Sequence, residues 1–472
     1  MTKQTEKITL TLTDSPFGNA ARKGLTETHG GYQSFSTEVD HSEVERGFFA
    51  GFRAARYALR MDYGLVAAYI GDKRVPVSMV ASGIVAMQNE TNTVALMFSR
   101  LENKYGLVAN NADMTGEWKE IEMREVPTDA FWDLDLTVTV VRDGACLKVF
   151  FGAEQTPVFE TDLTAYLKDA GEATAVGVFS VHAVTRFTNA VLTETPEELP
   201  AVKVADETPR EVDVVLLAGQ SNMLGIANVE ALIANDPASY EKVRLGFRHT
   251  YISYLCDNNK GYRFTPVTLG EGWDGRFFGP EVGLAAYWEE HFPDRELYII
   301  KCAFGATKMY DEWRPSSPAE TNRYTRFIEH MNRSIAQLER HGKTPKFIAM
   351  CWMQGEGDGW NIYPKYYLDG LRELVGDVRG RLANRLKYEE LLFVDATLHL
   401  YSNPRLFPDA NIINDRKADF SKESPYNFLV STQELGLHTE LEEISGGEAH
   451  FDSDSILKLG DAFAKVAFGR EK

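Results

Sequence analysis

The hydrophobic rhythm of the chain changes once, between residues 194 and 212, and that change rules out a single uniform architecture. Before it, apolar residues recur with the period of two that belongs to strands. After it, short continuous apolar runs alternate with amphipathic stretches of helical period. One core cannot serve both patterns, and 472 residues suit two or three domains at roughly 100–200 residues each.

In the first half, short β-branched or alternating runs recur at Ile8–Leu12, Leu65–Ile70, Val77–Ala81 and Thr93–Phe98. The clearest spans 134–140, where alternation puts Leu134, Leu136, Val138 and Val140 on one face. Asp143-Gly144 supplies a tight turn, Cys146–Phe151 returns, and Ala175–Val181 and Thr185–Leu192 close the series. Many strands with turns between them predict a β-sandwich over 1–194. The order of strand, Asp-Gly, strand ending in Phe-Phe-Gly, then Gly-Val-Phe-Ser-Val is similar to a concanavalin-type jelly roll. Such a sandwich can bind carbohydrate, shape a cleft or support a homo-oligomer. Residues 195–210, acidic and proline-rich, read as a linker.

From 211 to 472, apolar runs of strand length stand at Val212–Ala218, Leu297–Ala303, Phe347–Trp352, Leu391–Ala396 and Asn427–Ser431. Helical stretches at Pro280–His291, Thr321–Arg340, Tyr366–Arg381 and Ser455–Phe468 separate or follow them. Strands buried on both faces and joined through helices give an α/β unit, a parallel sheet with helices packed on each side.

Ligands of such a sheet bind beyond the carboxyl ends of the strands, and the residues there are unusual. The first run leads into Gly219-Gln-Ser221-Asn, the second into Phe-Gly305-Ala-Thr307, the third into Met-Gln354-Gly-Glu356-Gly-Asp358. Glu448-Ala-His450-Phe-Asp452 precedes the last helix. Acyl transfer needs a nucleophile, a base, oxyanion donors and a group to orient the base. Ser221 suits the nucleophile and its own N–H an oxyanion donor. Gly305 can bring a second backbone N–H close, the Gln354 amide can complete the hole, and His450 suits the base. His399 and His438, on later loops, are the competing histidines.

AGQSNMLG (218–225) resembles the signature of sialate O-acetylesterase-like proteins and carbohydrate esterase family six, in the SGNH hydrolase superfamily. FGPEVGLA (278–285), KCAFGATKM (301–309), WMQGEGD (352–358) and the closing HFDSDS…LG (450–460) are similar to the family's following blocks, in the same order. The resemblance covers Val212 to Phe468. It implies a three-layer α/β/α fold, Ser221 as nucleophile, His450 as base, Gly305 and Gln354 in the oxyanion hole, and O-acetylated sugars as substrates. The chain departs from the family twice. Ala306 stands in a block that usually reads Gly-Gly-Thr. Gly447 holds the position of the acid in an Asp-x-x-His motif. Glu448 or Glu356 can replace that acid, or a Ser–His dyad can work with a backbone carbonyl. Trp273, Trp313 and Trp360 lie near these blocks and are candidates to stack on sugar faces.

Composition narrows the partners. Lys plus Arg number 50 against 69 Asp plus Glu, a formal net charge of −19. That repels phosphate backbones and anionic headgroups, so neither nucleic acid nor membrane is expected and a neutral sugar fits better than an anionic one. Acetylated xylo- or manno-oligosaccharides are such sugars. No HExxH or His-x-His spacing occurs, so no catalytic metal and no cofactor are expected. No Gly-x-Ser-x-Gly elbow occurs either, which argues against an α/β-hydrolase. Four scattered cysteines without a CxxC pair read as reduced thiols. No apolar run reaches transmembrane length and the start lacks a secretory h-region, so a cytoplasmic location is expected. These features together point to a serine-dependent carbohydrate O-acetylesterase. The rival is a glycan-binding protein with a degenerate hydrolase half, suggested by Gly447.

Overall fold

Period-two alternation in the first half and strand–helix alternation in the second each build a separate unit. The computed structural model describes residues 12–13, 25–28, 31–34, 45–68, 80–112, 114, 116–127, 131, 136–167, 169–181, 183–202, 210–257, 260–318, 322–400, 406–439 and 447–470. The chain divides into two compact units, Met1–Asp206 and Glu207–Lys472.

The first unit is a β-sandwich of two antiparallel sheets. One runs in the order Leu12–Thr13, Glu45–Ala54, Thr174–Val181, Ala81–Gln88, Asn92–Ser99, Lys104–Asn111, Lys119–Glu125. The other runs Phe159–Asp162, Cys146–Phe151, Leu136–Asp143, Arg56–Ala68, Ala183–Thr193, Gly31–Ser34, Leu25–Thr28. Ile84, Leu96 and Val178 of the first share one apolar core with Leu59, Val138, Val140 and Val149 of the second. The predicted hairpin forms, with Asp143 paired to Cys146 and Gly144 at φ +59° in the turn. Arg142, fully buried, donates to the carbonyls of Ala54, Gly144, Ala170 and Glu172, whose dipoles replace the water its charge has lost. Parts of four predicted strands, at 8–11, 69–70, 77–79 and 134–135, lie outside the described residues.

In the second unit one sheet runs Lys260–Pro266, Thr250–Leu255, Leu297–Ala303, Arg210–Gly219, Lys343–Met353, Leu392–Ala396, Asn427–Val430. All pairs are parallel except the edge strand Lys260–Pro266. The chain enters in the centre, builds one side as far as Leu297–Ala303, then crosses to build the other. Its topological switch point therefore lies at the carboxyl end of Arg210–Gly219. Gly219 pairs with Ala303 on one side and Met353 on the other, so three neighbouring strands end level.

Helix Arg323–Arg340 is capped by Asn322, which accepts from Thr325 N at 2.8 Å, and buries Phe327, Met331, Ile335 and Leu338. Helices Glu281–His291 and Ser453–Ala467 pack so closely that a Cβ at Gly283 would lie 2.1 Å from Leu457 O. Elements of this unit that go beyond the sequence expectations include helices Val229–Asn235, Pro237–Val243 and Ala410–Ser421 and the hairpin Thr250–Leu255/Lys260–Pro266. The hairpin's inner strand carries Thr250 and Ser253, both buried; Ser253 Oγ accepts from Ser334 Oγ at 3.3 Å.

Lys301 and Glu281, both wholly buried, form an ion pair at 2.7 Å beneath this rim. Lys301 Nζ also donates to Glu271 O at 3.0 Å, and Glu281 accepts from Gly279 N at 2.7 Å. The pair fastens FGPEVG to the strand that leads to Gly305. Lys301→Met strands the Glu281 carboxylate and is expected to cost about 3–5 kcal/mol in urea denaturation, part of which Glu281→Gln in the same chain recovers.

Candidate active site

The level strand ends open onto a cavity of about 630 Å³ whose wall includes Ser221, Gly305 and His450. Gln220, Asp257, Lys308, Trp273, Trp360 and Phe407 line it as well. Ser221 begins the short helix Ser221–Leu224 directly after the central strand. The turn between them depends on Gly219: its φ is +152°, and a Cβ there would sit 2.0 Å from Met353 O.

From Gln220 in the wall inward, side chains join the AGQSNMLG, KCAFGATKM and WMQGEGD blocks. Gln220 Oε1 accepts from the Gln354 amide at 3.2 Å and from Gly355 N and Gly357 N at 3.2 and 3.3 Å. Gln354 Nε2 also donates to Thr307 O at 2.8 Å and Asp358 Oδ2 at 2.6 Å. Asp358 in turn accepts from Met309 N at 3.0 and 2.9 Å. Burial pushes the Asp358 carboxyl up to about 7, against the pull of these hydrogen bonds.

Two residues expected at the site lie outside the cavity wall. The Gln354 amide, expected as an oxyanion donor, is fully buried, with three internal acceptors in reach of its two hydrogens, and its bond to Thr307 O ties it to the Gly305–Thr307 loop. Trp313, expected to contact sugar, is fully buried, donates from Nε1 to Thr307 Oγ1 at 2.9 Å and meets Trp352 edge-on at 5.0 Å. It braces the same loop from below. Trp273 and Trp360 do line the cavity, Trp360 with 38% of its surface exposed and edge-on to Phe407.

Gly305 lies on the wall, but its N–H donates to Asp257 Oδ2 at 2.7 Å. Asp257 follows the carboxyl end of strand Thr250–Leu255, a position that marks ligand sites once the strand is known. Lys308 belongs to the KCAFGATKM block, and its ammonium lies 4.6 Å over the Tyr363 ring. Sequence reasoning singles out neither residue, nor Phe407, a bulky side chain at φ +51°.

His450 follows the turn Gly447–Ala449 and reaches the cavity; His399 and His438 are not part of its wall. Burial holds the His450 imidazole below its usual pKa of 6.5. Among the described residues its Nδ1 has no hydrogen-bond partner. Neither Glu356 nor Glu448 is hydrogen-bonded to that nitrogen. Glu356 is buried, accepts from Asn222 Nδ2 at 2.8 Å through Oε1, and has its carboxyl raised by burial. Glu448 sits in the turn before the histidine. Among the described residues, no group of three or more His, Cys, Asp or Glu side chains is arranged to hold a metal ion. No described helix is long and apolar enough to cross a membrane.

A family model described as carbohydrate esterase, sialic acid-specific acetylesterase, matches residues 211–468, more than half of the chain. The chain belongs to this family. No curated protein matches it. Among solved structures, this esterase-family chain is similar to a protein from Arabidopsis thaliana, with 16% identity over 54% of this chain and 98% of the other, at a TM-score of 0.40. NanS aligns with 14% identity over 56% of this chain and 99% of its own, at a TM-score of 0.41. A family two carbohydrate esterase from Cellvibrio japonicus aligns with 9% identity over 95% of this chain and 92% of its own, at a TM-score of 0.34.

The Ala306 departure has a local consequence. Ala306 has φ +54°, a left-handed conformation that a side chain disfavours by roughly 1–2 kcal/mol. Glycine removes that strain and gives part of the gain back as unfolded-chain entropy. Ala306→Gly is expected to raise the unfolding free energy by about 0.5–1 kcal/mol, read from paired urea melts.

Proposed function

We propose that the chain is a carbohydrate O-acetylesterase in which Ser221 and His450 carry out acyl transfer on a three-layer α/β/α unit spanning 211–472. The observation behind this reading is that Ser221, Gly305 and His450, distant in sequence, line one cavity at the carboxyl ends of adjacent strands. A volume of about 630 Å³ suits a small sugar, and Trp273 and Trp360 offer apolar faces to it.

Ser221 Oγ attacks the acetyl carbonyl as His450 takes its proton. The carbonyl oxygen becomes an oxyanion held by the N–H groups of Ser221 and Gly305, replacing the Asp257 carboxylate on the latter. Collapse of the intermediate breaks the bond to the sugar oxygen, which takes the proton from His450 and departs. A water that gives its proton to His450 then attacks the acetyl-serine, and acetate leaves as Ser221 recovers its proton. Gln354 acts one step away by fixing the Gly305 loop. With no described carboxylate on His450 Nδ1, the pair works as a dyad. The wall sets Asp257 against Lys308, so the charge of −19 for the whole chain does not decide the charge of the sugar.

Gly447 and the unpartnered Nδ1 favour a second reading, a glycan-binding protein that has lost catalysis; in the serine-protease template, losing the acid lowers kcat by roughly 10⁴. Acetate release from acetylated oligosaccharides separates the two. Wild type is expected to turn over and to react with a fluorophosphonate at Ser221, and Ser221→Ala to do neither; sugar binding without turnover or labelling assigns the second reading.

The base must be neutral to accept a proton, and burial lowers the His450 pKa. The acid limb of kcat/KM is therefore expected below pH 6.5, with activity lost as pH falls through that limb and a plateau above it. A limb centred above 6.5 in an initial-rate pH series contradicts this assignment of the base.

A further inference from the structure

We infer that Asn222, the residue after the nucleophile, is the positioning residue that sets His450 against Ser221, with Glu356 as its anchor. This rests on reading Ser221 and His450 as nucleophile and base.

Three contacts carry it. Asn222 is almost fully buried, in the same helical turn as Ser221. Its Oδ1 accepts from Phe451 N at 3.0 Å, and its Nδ2 donates to Ala449 O at 3.3 Å. Those two partners flank His450 in sequence, so one side chain grips the backbone on both sides of the base. The other Nδ2 hydrogen goes to Glu356 Oε1 at 2.8 Å. Glu356 Oε1 accepts that bond, so the nitrogen of the Asn222 amide faces Glu356 and the oxygen is left for Phe451 N. The segments that bear the nucleophile, Glu356 and the base thus meet at a single amide.

The physical need follows from His450 itself. A triad acid orients its histidine through the ring, but here Nδ1 has no partner among the described residues. The placement of the ring must then come from the backbone that bears it. From the far side, Asp452 N donates to His438 O at 3.1 Å and Phe451 bridges to Thr439, which fixes the residues after the histidine. The Asn222 contacts tie this segment to the element that carries the nucleophile's hydroxyl. Glu356, a candidate for the missing acid, acts on His450 at one remove.

The test compares Asn222→Ala, Asn222→Asp and the exchange Asn222→Asp/Glu356→Gln, each checked for folding by circular dichroism and thermal melting. In the exchange, an amide at position 356 becomes donor and a carboxylate at position 222 acceptor. The link is rebuilt with its polarity reversed and Phe451 N keeps an acceptor, while the bond to Ala449 O, the longest of the three, is given up. Loss of the link is expected to lower kcat about 100-fold, the scale of a small misplacement of reacting groups, with KM changed by less than about threefold. Asn222→Asp, which sets two buried carboxylates together, is expected to be the worst of the three, and the exchange to recover at least about tenfold over it. A folded Asn222→Ala with wild-type kcat, or an exchange no better than Asn222→Asp, overturns the inference. If the wild type releases no acetate, the esterase reading fails separately. The positioning role is then read from the His450 ring resonances, which are expected to broaden or split in Asn222→Ala and to remain single in the wild type; unchanged resonances overturn it.

Discussion

Parallel pairing of the central strand with both neighbours underlies the site. Register fixes Gly219 opposite Ala303 and Met353, so the chain must emerge from three adjacent strands at one level. Whatever follows each strand is then a neighbour in space although far away in sequence. Gly219 makes the turn tight enough for Ser221 to stand on this rim, and the buried Lys301–Glu281 pair steadies the strand that leads to Gly305.

A second layer of organisation lies beneath the cavity. Gln220, Gln354 and Asp358 exchange hydrogen bonds with one another and with the backbone of the Gly305–Met309 segment, shielded from water. Buried polar groups are costly unless paired, so each pairing that forms also fixes the loops it joins. The cavity wall, Gln220 included, is accordingly backed by Gln354 and Asp358, which do not line it. Trp313 belongs to this support through its bond to Thr307.

The histidine end is organised differently. Where the family motif has an acid, the chain has glycine, and the imidazole relies on backbone held by Asn222 and, behind it, Glu356. The carboxylate that holds Gly305 N–H, Asp257, occupies a donor that the proposed chemistry requires, so substrate has to displace it. Both features distinguish this member of the carbohydrate esterase family from what its motif blocks alone convey.

Sequence was enough for the change of architecture near residue 200, the sandwich hairpin at Asp143-Gly144, the five apolar strands of the second unit's sheet, and the blocks that bear Ser221, Gly305 and His450. These are local: periodicity and turn chemistry act between residues a few positions apart, and motif blocks are contiguous. Which side chains face the cavity and which support it was settled only by packing. Gln354 and Trp313 carry suitable chemistry but are buried in the protein, whereas Asp257 and Phe407 reach the wall without any motif to mark their part, and Lys308 reaches it from within a block that does not single it out. The strand Thr250–Leu255 is hidden for the same reason, since its buried Ser253 is satisfied by Ser334 on a distant helix. Orientation and hydrogen-bond partnership are set by residues far away in the chain, and no local pattern encodes them.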